Sequence, residues 1–196
     1  MNVLVVHAHP DPASFNHTLF ETAVTALRAG GHTVETIDLY AEGFSAVMTA
    51  AERKAYHSPA PILDPQVARH AQLVRWANAL VFVYPTWWAG LPAILKGWLD
   101  RVLVAGVAFD FHPRTHKVRP ALRNARLILG ISTYGSPRWF GFAMADAGRR
   151  TLLRALWLCC PRRTRRRWIA MHGIDGTSEA ERTAFLHKVD RELRAL

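Results

Sequence analysis

The chain has 196 residues, half of them hydrophobic and a fifth charged, a globular composition long enough for one domain with a real core and unlike a disordered segment. No apolar run reaches membrane-spanning length, and the first residues enter a strand with neither a basic start nor a cleavage site, so a soluble cytoplasmic protein without a signal peptide is expected. The formal charge of +10 is carried mostly by Arg in the second half, in Arg149, Arg150, Arg154 and the run "RRTRRR" at Arg162 to Arg167; with no nucleic-acid motif beside it, a solvated loop is expected, then a ligand phosphate, with nucleic acid last.

"NVLVV" (Asn2 to Val6) opens the chain as a buried strand. It runs into "HAHPDPASFNHT", His7 to Thr18, which holds more polar chemistry than a strand-to-helix connection requires. A helix follows from Asn16 to Ala29, with Leu19, Phe20, Ala23, Val24 and Leu27 at helical spacing and Gly30-Gly31 closing it. "TVETIDL" (Thr33 to Leu39) is the second strand. Residues 41–75 read as a loop and then one or two helical pieces interrupted by "HSPAPILDP". "ALVFVYP" (Ala79 to Pro85) is the third strand, and "PAILKGWLDRVL" begins a helix with Pro92 at its first position. "ARLILGIS" (Ala125 to Ser132) is the fourth strand, and a helix from about Phe142 to Leu158 leads to Cys159 and Cys160. These adjacent thiols lack metal-ligand spacing and are expected to be buried and structural. "WIAMHG" (Trp168 to Gly173) is the fifth strand. The last helix begins with a capping box, Ser178 and Glu181, and turns Phe185, Leu186, Val189 and Leu193 inward.

Strands alternating with helices predict a single α/β domain over residues 1–196, a three-layer sandwich on a five-stranded parallel sheet of order 2-1-3-4-5. In such a sheet ligands sit beyond the carboxyl ends of the strands, where strand order reverses. The loops after the first, third and fourth strands, "HAHPDPASFNHT", "PTWWAG" and "STYGSPRWFG", meet there. Neither G-x-G-x-x-G nor a Gly-Lys-Ser/Thr phosphate loop is present, which argues against a Rossmann domain and a nucleotide triphosphatase. His9, Ser14, Asn16 and Thr18 surround a helix N-terminus, where a phosphate is favoured; alternatively Ser14 or Asn16 is merely the cap. Trp87 and Trp88 cannot both enter one core from an extended segment, so at least one faces the crevice. Ser132, Thr133, Tyr134 and Gly135 give a polar rim, with Trp139, Phe140 and Phe142 as an aromatic wall on the substrate side. That pairing suits a planar ring with heteroatoms along one edge.

"AHPDPASFN" and "YPTWWAGLPAILKGWLDRV" resemble the flavodoxin-like NAD(P)H:quinone oxidoreductases, a family that includes the DT-diaphorase type, bacterial quinone reductases and potassium-efflux ancillary proteins. The family pattern is Ala-His, a short insert and Ser-Phe-Asn, then Pro-x-x-Trp, Gly-x-Pro-Ala-x-Leu-Lys-Gly and an acidic-Arg pair, and the likeness covers most of the chain. It implies a flavin, FAD with FMN as the alternative, reduced by NAD(P)H and reoxidised by a quinone-like acceptor in ping-pong order. His9, Ser14, Phe15, Asn16 and Thr18 would hold its phosphate and ribityl chain. Pro85, Thr86, Trp87, Trp88 and Ala89 would line the isoalloxazine, and Ser132, Thr133, Tyr134 and Gly135 its pyrimidine edge. It also implies a homodimer with the "GLPAILKGWLDRV" helix at the interface; no metal and no membrane insertion are expected. The chain departs from the family in having Tyr134-Gly135 where many members have Gly-Gly. It also has about Phe140 and Asp146 where the DT-diaphorase type has a Tyr and a His. The Tyr/His relay therefore does not carry over, and Tyr134 remains either a candidate catalytic hydroxyl or a hydrophobic lid. Arg138, Arg149 and Arg150 offer a basic face for the phosphates of NAD(P)H. The rival functions are a non-enzymatic flavin-binding electron carrier and a regulatory subunit of a membrane transporter.

Overall fold

A computed structural model describes residues 1–112, 114, 115 and 117–196, and the side chain of Phe142 lies outside that description. Its main sheet is five parallel strands: β1 (Asn2–His7), β2 (Thr33–Asp38), β3 (Ala79–Thr86), β6 (Leu127–Tyr134) and β7 (Arg165–His172), ordered β2-β1-β3-β6-β7. This is the expected order once the hairpin of β4 (Phe109–Phe111) and β5 (Val118–Pro120) is counted; strands of three residues gave no apolar run to find. The alternation of a strand splits β1 between two cores. Val3 and Val5 pack with α1 (Phe15–Ala29) and α7 (Glu179–Arg194), while Leu4 and Val6 pack with α3 (Pro65–Trp76) and α4 (Ala93–Val102). A short helix, α2 (Ala50–Ala55), precedes α3.

The predicted caps are present. Ser178 and Glu181 close a capping box on α7, whose Phe185, Val189 and Leu193 are buried and Leu186 half-buried. Gly30 caps α1, and the next residue, Gly31, turns left-handed at φ 79°. Pro92, expected as the first helical residue, is instead the N-cap of α4, which begins one residue later at Ala93. At the middle of α4 the backbone of Gly97 meets that of Ala46, and a Cβ there would fall 2.1 Å from the Ala46 carbonyl oxygen. Arg101, near the end of α4, is buried with Glu52 and Asp64 on its guanidinium and donates to the Ser45 carbonyl.

Three expectations need correction. The helix from Phe142 to Leu158 is broken: α5 (Arg138–Ala143) stops, Ala145 and Asp146 turn left-handed at φ 59° and 38°, and α6 (Ala147–Arg150) continues as a π turn and a 3-10 turn to Cys159. The side chain of Asp146 accepts from the Arg149 N–H and caps the restarted helix. The fourth strand runs to Tyr134, so Ser132, Thr133 and Tyr134 are strand residues. The fifth begins at Arg165, so half of the basic run is edge strand and only Arg162 and Arg163 are the expected exposed turn. Charge along a sheet edge discourages further pairing. Here Arg166 lies 4.4 Å over the Trp157 ring and Arg167 pairs with Glu192 at 2.9 Å. Both cysteines are free; Cys160 is buried, which pushes its thiol up to about 12. No helix among the described residues is long and apolar enough to cross a membrane.

Candidate functional site

The carboxyl ends of β1, β3 and β6 carry the three expected loops to one rim, and side-chain contacts tie them together. Asn16 Nδ2 donates to Thr133 Oγ1 at 3.3 Å, the Thr86 and Ser132 hydroxyls share a hydrogen bond of 2.8 Å, and the His9 and Trp87 rings lie 6.0 Å apart. Between them opens a cleft of about 550 Å³ lined by Pro85, Thr86, Trp87, Trp88, Thr133, Gly135, Ile174 and Asp175. That is the size of a small-molecule site.

At the first loop Ser14 is the N-cap of α1, its Oγ accepting from the His17 N–H at 3.1 Å. The capping alternative for Ser14 is thus realised, and the phosphate reading survives beside it. The N–H groups of Phe15 and Asn16 precede the first intrahelical bonds and remain for an anion at the positive end of the helix dipole. Asn16 is buried, and its Oδ1 has no hydrogen-bond partner among the described residues. A buried acceptor left unpaired costs roughly 1–3 kcal/mol, so its position beside the rim calls for a donor from a ligand. Thr18 is exposed and turns its hydroxyl back to the Ser14 carbonyl, and His9 Nδ1 is taken by the backbone of Asp11.

The second loop is a tight turn closed by reciprocal backbone bonds between Trp87 and Gly90. Its central residues, Trp88 and Ala89, both have positive φ, 50° and 53°, the signs of a type I′ turn that ordinarily takes Asn and Gly. Each costs on the order of 1 kcal/mol for a residue with a Cβ, strain of the kind held at ligand sites. The turn leaves the N–H groups of Trp88 and Ala89 out of its own bonds and projects the Trp88 side chain fully into solvent. Trp87 is partly exposed along the cleft.

At the third loop the strand's alternation parts two neighbours. Thr133 faces α1 and the cleft, whereas Tyr134 faces the other layer, buried, its hydroxyl donating to Asp146 Oδ2 at 2.8 Å. Burial, and then the Asp146 carboxylate, push the Tyr134 phenol above its ordinary pKa. The Tyr84 hydroxyl, also buried and without a partner among the described residues, is pushed up by burial and by these same two groups. His172 stacks on Tyr134 at 4.4 Å and is lowered by burial and then by Arg138. Trp139 and Phe140 are exposed on α5 and stand outside the cleft lining. Sequence reasoning missed two contributors. Ile174 and Asp175 come from the β7–α7 loop, which the topology already sends to this rim, and a Cβ on Gly135 would come within 2.8 Å of the Asp175 carboxylate. Asp146 was aligned but its bond to Tyr134 depends on the helix break.

The α1 N-terminus, the strained turn and the cleft stand at the switch point of a doubly wound domain, where such sheets take their ligands. The model of the Flavodoxin-like fold family matches residues 1–195, and the chain belongs to that family. Smu.1420 from Streptococcus mutans UA159 is 30% identical with a TM-score of 0.84, and the match covers the whole of both chains. An NAD(P)H:quinone oxidoreductase from Methanothermobacter marburgensis is 25% identical, covering 98% of this chain and 96% of that one, with a TM-score of 0.81. NAD(P)H dehydrogenase (quinone) 1 from Rattus norvegicus is 33% identical over 148 residues, 68% of this chain and 53% of the rat protein. The chain spans about half the length of the curated relatives it matches.

Proposed function

We propose that the protein is a flavin-dependent NAD(P)H dehydrogenase that reduces quinones or similar electrophiles. One observation carries this function: the buried Oδ1 of Asn16 at the α1 N-terminus, without a partner among the described residues and on a side chain bonded to the cleft-lining Thr133, in a chain similar to proteins named as quinone dehydrogenases. Asn16 Oδ1 would accept from the ribityl chain, and the amides of Phe15 and Asn16, with His9, would hold the phosphate. Pro85 to Ala89, Thr133 and Gly135 would hold the ring, with the Trp88 and Ala89 amides available as donors. We take FAD as the form, as the family resemblance of the first loop implies; FMN is the other outcome of chromatography of the released cofactor.

When bound, a flavin supplies reversible two-electron chemistry, accepting hydride from NAD(P)H and passing it to an acceptor. The chain's part is to bind, orient and exclude water. Trp87 and Trp88 give flat apolar surface on which nicotinamide and quinone stack in turn. Tyr134 keeps its proton at physiological pH and spends it on Asp146, which makes it a positioning residue that fixes the end of β6 against α6. Arg138, Arg149 and Arg150 are exposed beside the rim and attract the phosphates of NAD(P)H. A homodimer would pack with α4 at its interface, as the family resemblance implies; Trp88, Trp139, Phe140 and Met144 are further exposed hydrophobic side chains that a second copy would cover. Two free thiols suit the reducing cytoplasm.

The test is steady-state kinetics with NADH or NADPH varied at several fixed concentrations of a naphthoquinone. Parallel double-reciprocal lines are expected, because both substrates use one cleft. Converging lines, or a bound flavin that neither nucleotide reduces, would overturn the proposal, the second outcome favouring an electron carrier or a regulatory subunit.

A further inference from the structure

The basic run that the cleft does not use belongs to a larger charge asymmetry. Residues 111–174 hold fourteen of the 25 Lys and Arg but one of the 15 acids, Asp146. The fold gathers five of these arginines at the amino edge of the sheet, whereas the cleft lies at the carboxyl edge, roughly 23 Å away along β6. Arg126 immediately precedes β6 and Arg165 opens β7, and the Arg165 N–H donates to the Arg126 carbonyl at 2.8 Å. Thr164 Oγ1 donates to the Ala125 carbonyl, which draws the turn of Arg162 and Arg163 against the loop of Arg123. All five side chains are exposed, and their guanidinium groups make no hydrogen bond or ion pair among the described residues. Of the fourteen, Arg167 on Glu192 is the one paired with a carboxylate among those residues.

Protection of a sheet edge accounts for Arg165 to Arg167 on β7, but β6 lies inside the sheet, and Arg123 and Arg126 guard no edge. Solubility is served by charges of both signs spread over the surface, not by one sign gathered in one place. Like charges held together raise the energy of the folded chain until a counter-charge covers them. Apolar surface stands beside them. Leu158 is exposed in the turn whose Cys159 carbonyl accepts from the Leu122 N–H. Next to that loop a hollow of about 290 Å³ is lined by Arg75 and Arg123 together with Val74, Leu80 and Leu122. The Arg75 guanidinium is fixed by two bonds to the Gly106 carbonyl. Residues 121–126 and 160–165 include no aromatic side chain on which a nucleic-acid base would stack.

We propose that this amino edge is a docking face for an anionic phospholipid surface, a peripheral contact made through Arg123, Arg126, Arg162, Arg163 and Arg165. Clusters of roughly four to eight basic side chains bind such surfaces, each strengthening the attachment about fivefold. The planar guanidinium suits the lipid phosphate, which it meets through two parallel hydrogen bonds. Leu158 adds apolar contact at the boundary between headgroups and acyl chains, a contribution that a nucleic acid could not reward. The hollow beside Arg123 has room for a headgroup. Because the cleft opens at the other edge of the sheet, docking leaves it clear for NAD(P)H and acceptor, and the proposal stands apart from the identity of the cofactor.

The test is cosedimentation of the full-length protein with vesicles of phosphatidylcholine, alone or mixed with phosphatidylglycerol. Binding to the mixed vesicles only is expected, falling steeply as salt is raised from about 0.1 M to about 1 M. Arg162→Gln/Arg163→Gln and, independently, Arg123→Gln/Arg126→Gln should each weaken it about 25-fold. Neither pair should move the melting temperature, since these side chains are exposed and unpaired among the described residues. Lys96→Gln/Lys188→Gln, which removes the same charge from α4 and α7, should leave binding within about twofold. Absence of binding to the mixed vesicles, or equal weakening by this control pair, overturns the proposal. So does tighter retention by a DNA duplex than by the vesicles at the same salt, which would make the edge a nucleic-acid surface instead.

Discussion

Tyr134→Phe distinguishes a positioning role from a catalytic one. The substitution deletes a single hydroxyl whose oxygen sits 2.8 Å from Asp146 Oδ2 in a buried setting. A hydrogen bond to a charged acceptor contributes about 1.5–3 kcal/mol. Asp146 keeps the Arg149 amide on Oδ1, so the lower half of that range applies, about 2 kcal/mol. For a domain of this length each kcal/mol moves the melting temperature by roughly 2–4 °C, which gives a fall of about 4–8 °C. Thermal unfolding followed by circular dichroism reads that shift, and steady-state quinone reduction on the same preparation reads the second half of the expectation. The phenol does not line the cleft, so kcat should stay within about threefold, against the 100-fold or more that general acid catalysis provides. A loss of kcat of that size with an unchanged melting temperature would refute the positioning role and restore Tyr134 as a proton donor to the reaction.

Asn16→Ala removes the unpartnered acceptor and should weaken flavin binding about tenfold, near 1.4 kcal/mol, in a fluorescence titration; unchanged affinity would mean that Oδ1 does not face the ligand. Gly97→Ala sets a Cβ against the Ala46 backbone, where no side chain can yield. It should cost about 3 kcal/mol or more, read as a lower urea midpoint at constant slope. His70 is buried, with Trp98 Nε1 donating to its Nδ1 and its Nε2 2.9 Å from Glu42, so it is held neutral with the proton on Nε2. Burial, opposed by Glu42, lowers its pKa, and the unfolded chain therefore binds more protons. The resulting stability is complete above about pH 6.5 and is lost as pH falls from there through the folded value. Nitrogen chemical shifts of labelled histidine that show a protonated Nδ1 at pH 7 would contradict this.

The parts of the fold that were legible are those where one physical signal dominates. "NVLVV" and "ALVFVYP" are apolar on both faces because helices cover both, and Ser178 with Glu181 marks a helix start through two reciprocal bonds. Trp87 and Trp88 were expected to part because neighbouring side chains of an extended segment point apart, but the segment is a tight turn and both are exposed. Arg165 to Arg167 read as loop because an edge strand tolerates charge that a central strand would not. Nothing in Ala145 announces a positive φ, and the break there is imposed from outside, by Tyr134 and the close approach of Gly148 to Tyr84 and Gly90. Without that break Asp146 could not have been joined to Tyr134. In the site, the second loop lines the cleft, and the first loop, singled out because its residue types exceed what a connection needs, meets it only through Asn16 on Thr133 and His9 beside Trp87. Asp175 was passed over although the loop after the last strand must reach the same edge, and Tyr134 was put on the wrong face because the strand was ended two residues early.

The most direct test of the central claim is anaerobic visible spectroscopy of the purified protein, before and after one equivalent of NADH or NADPH and then of a naphthoquinone. A bound flavin spectrum that bleaches with the nucleotide and returns with the quinone is the expected result. Failure to bind either FAD or FMN on reconstitution would contradict the account at its foundation, the fit of Asn16 and the α1 N-terminus to a flavin.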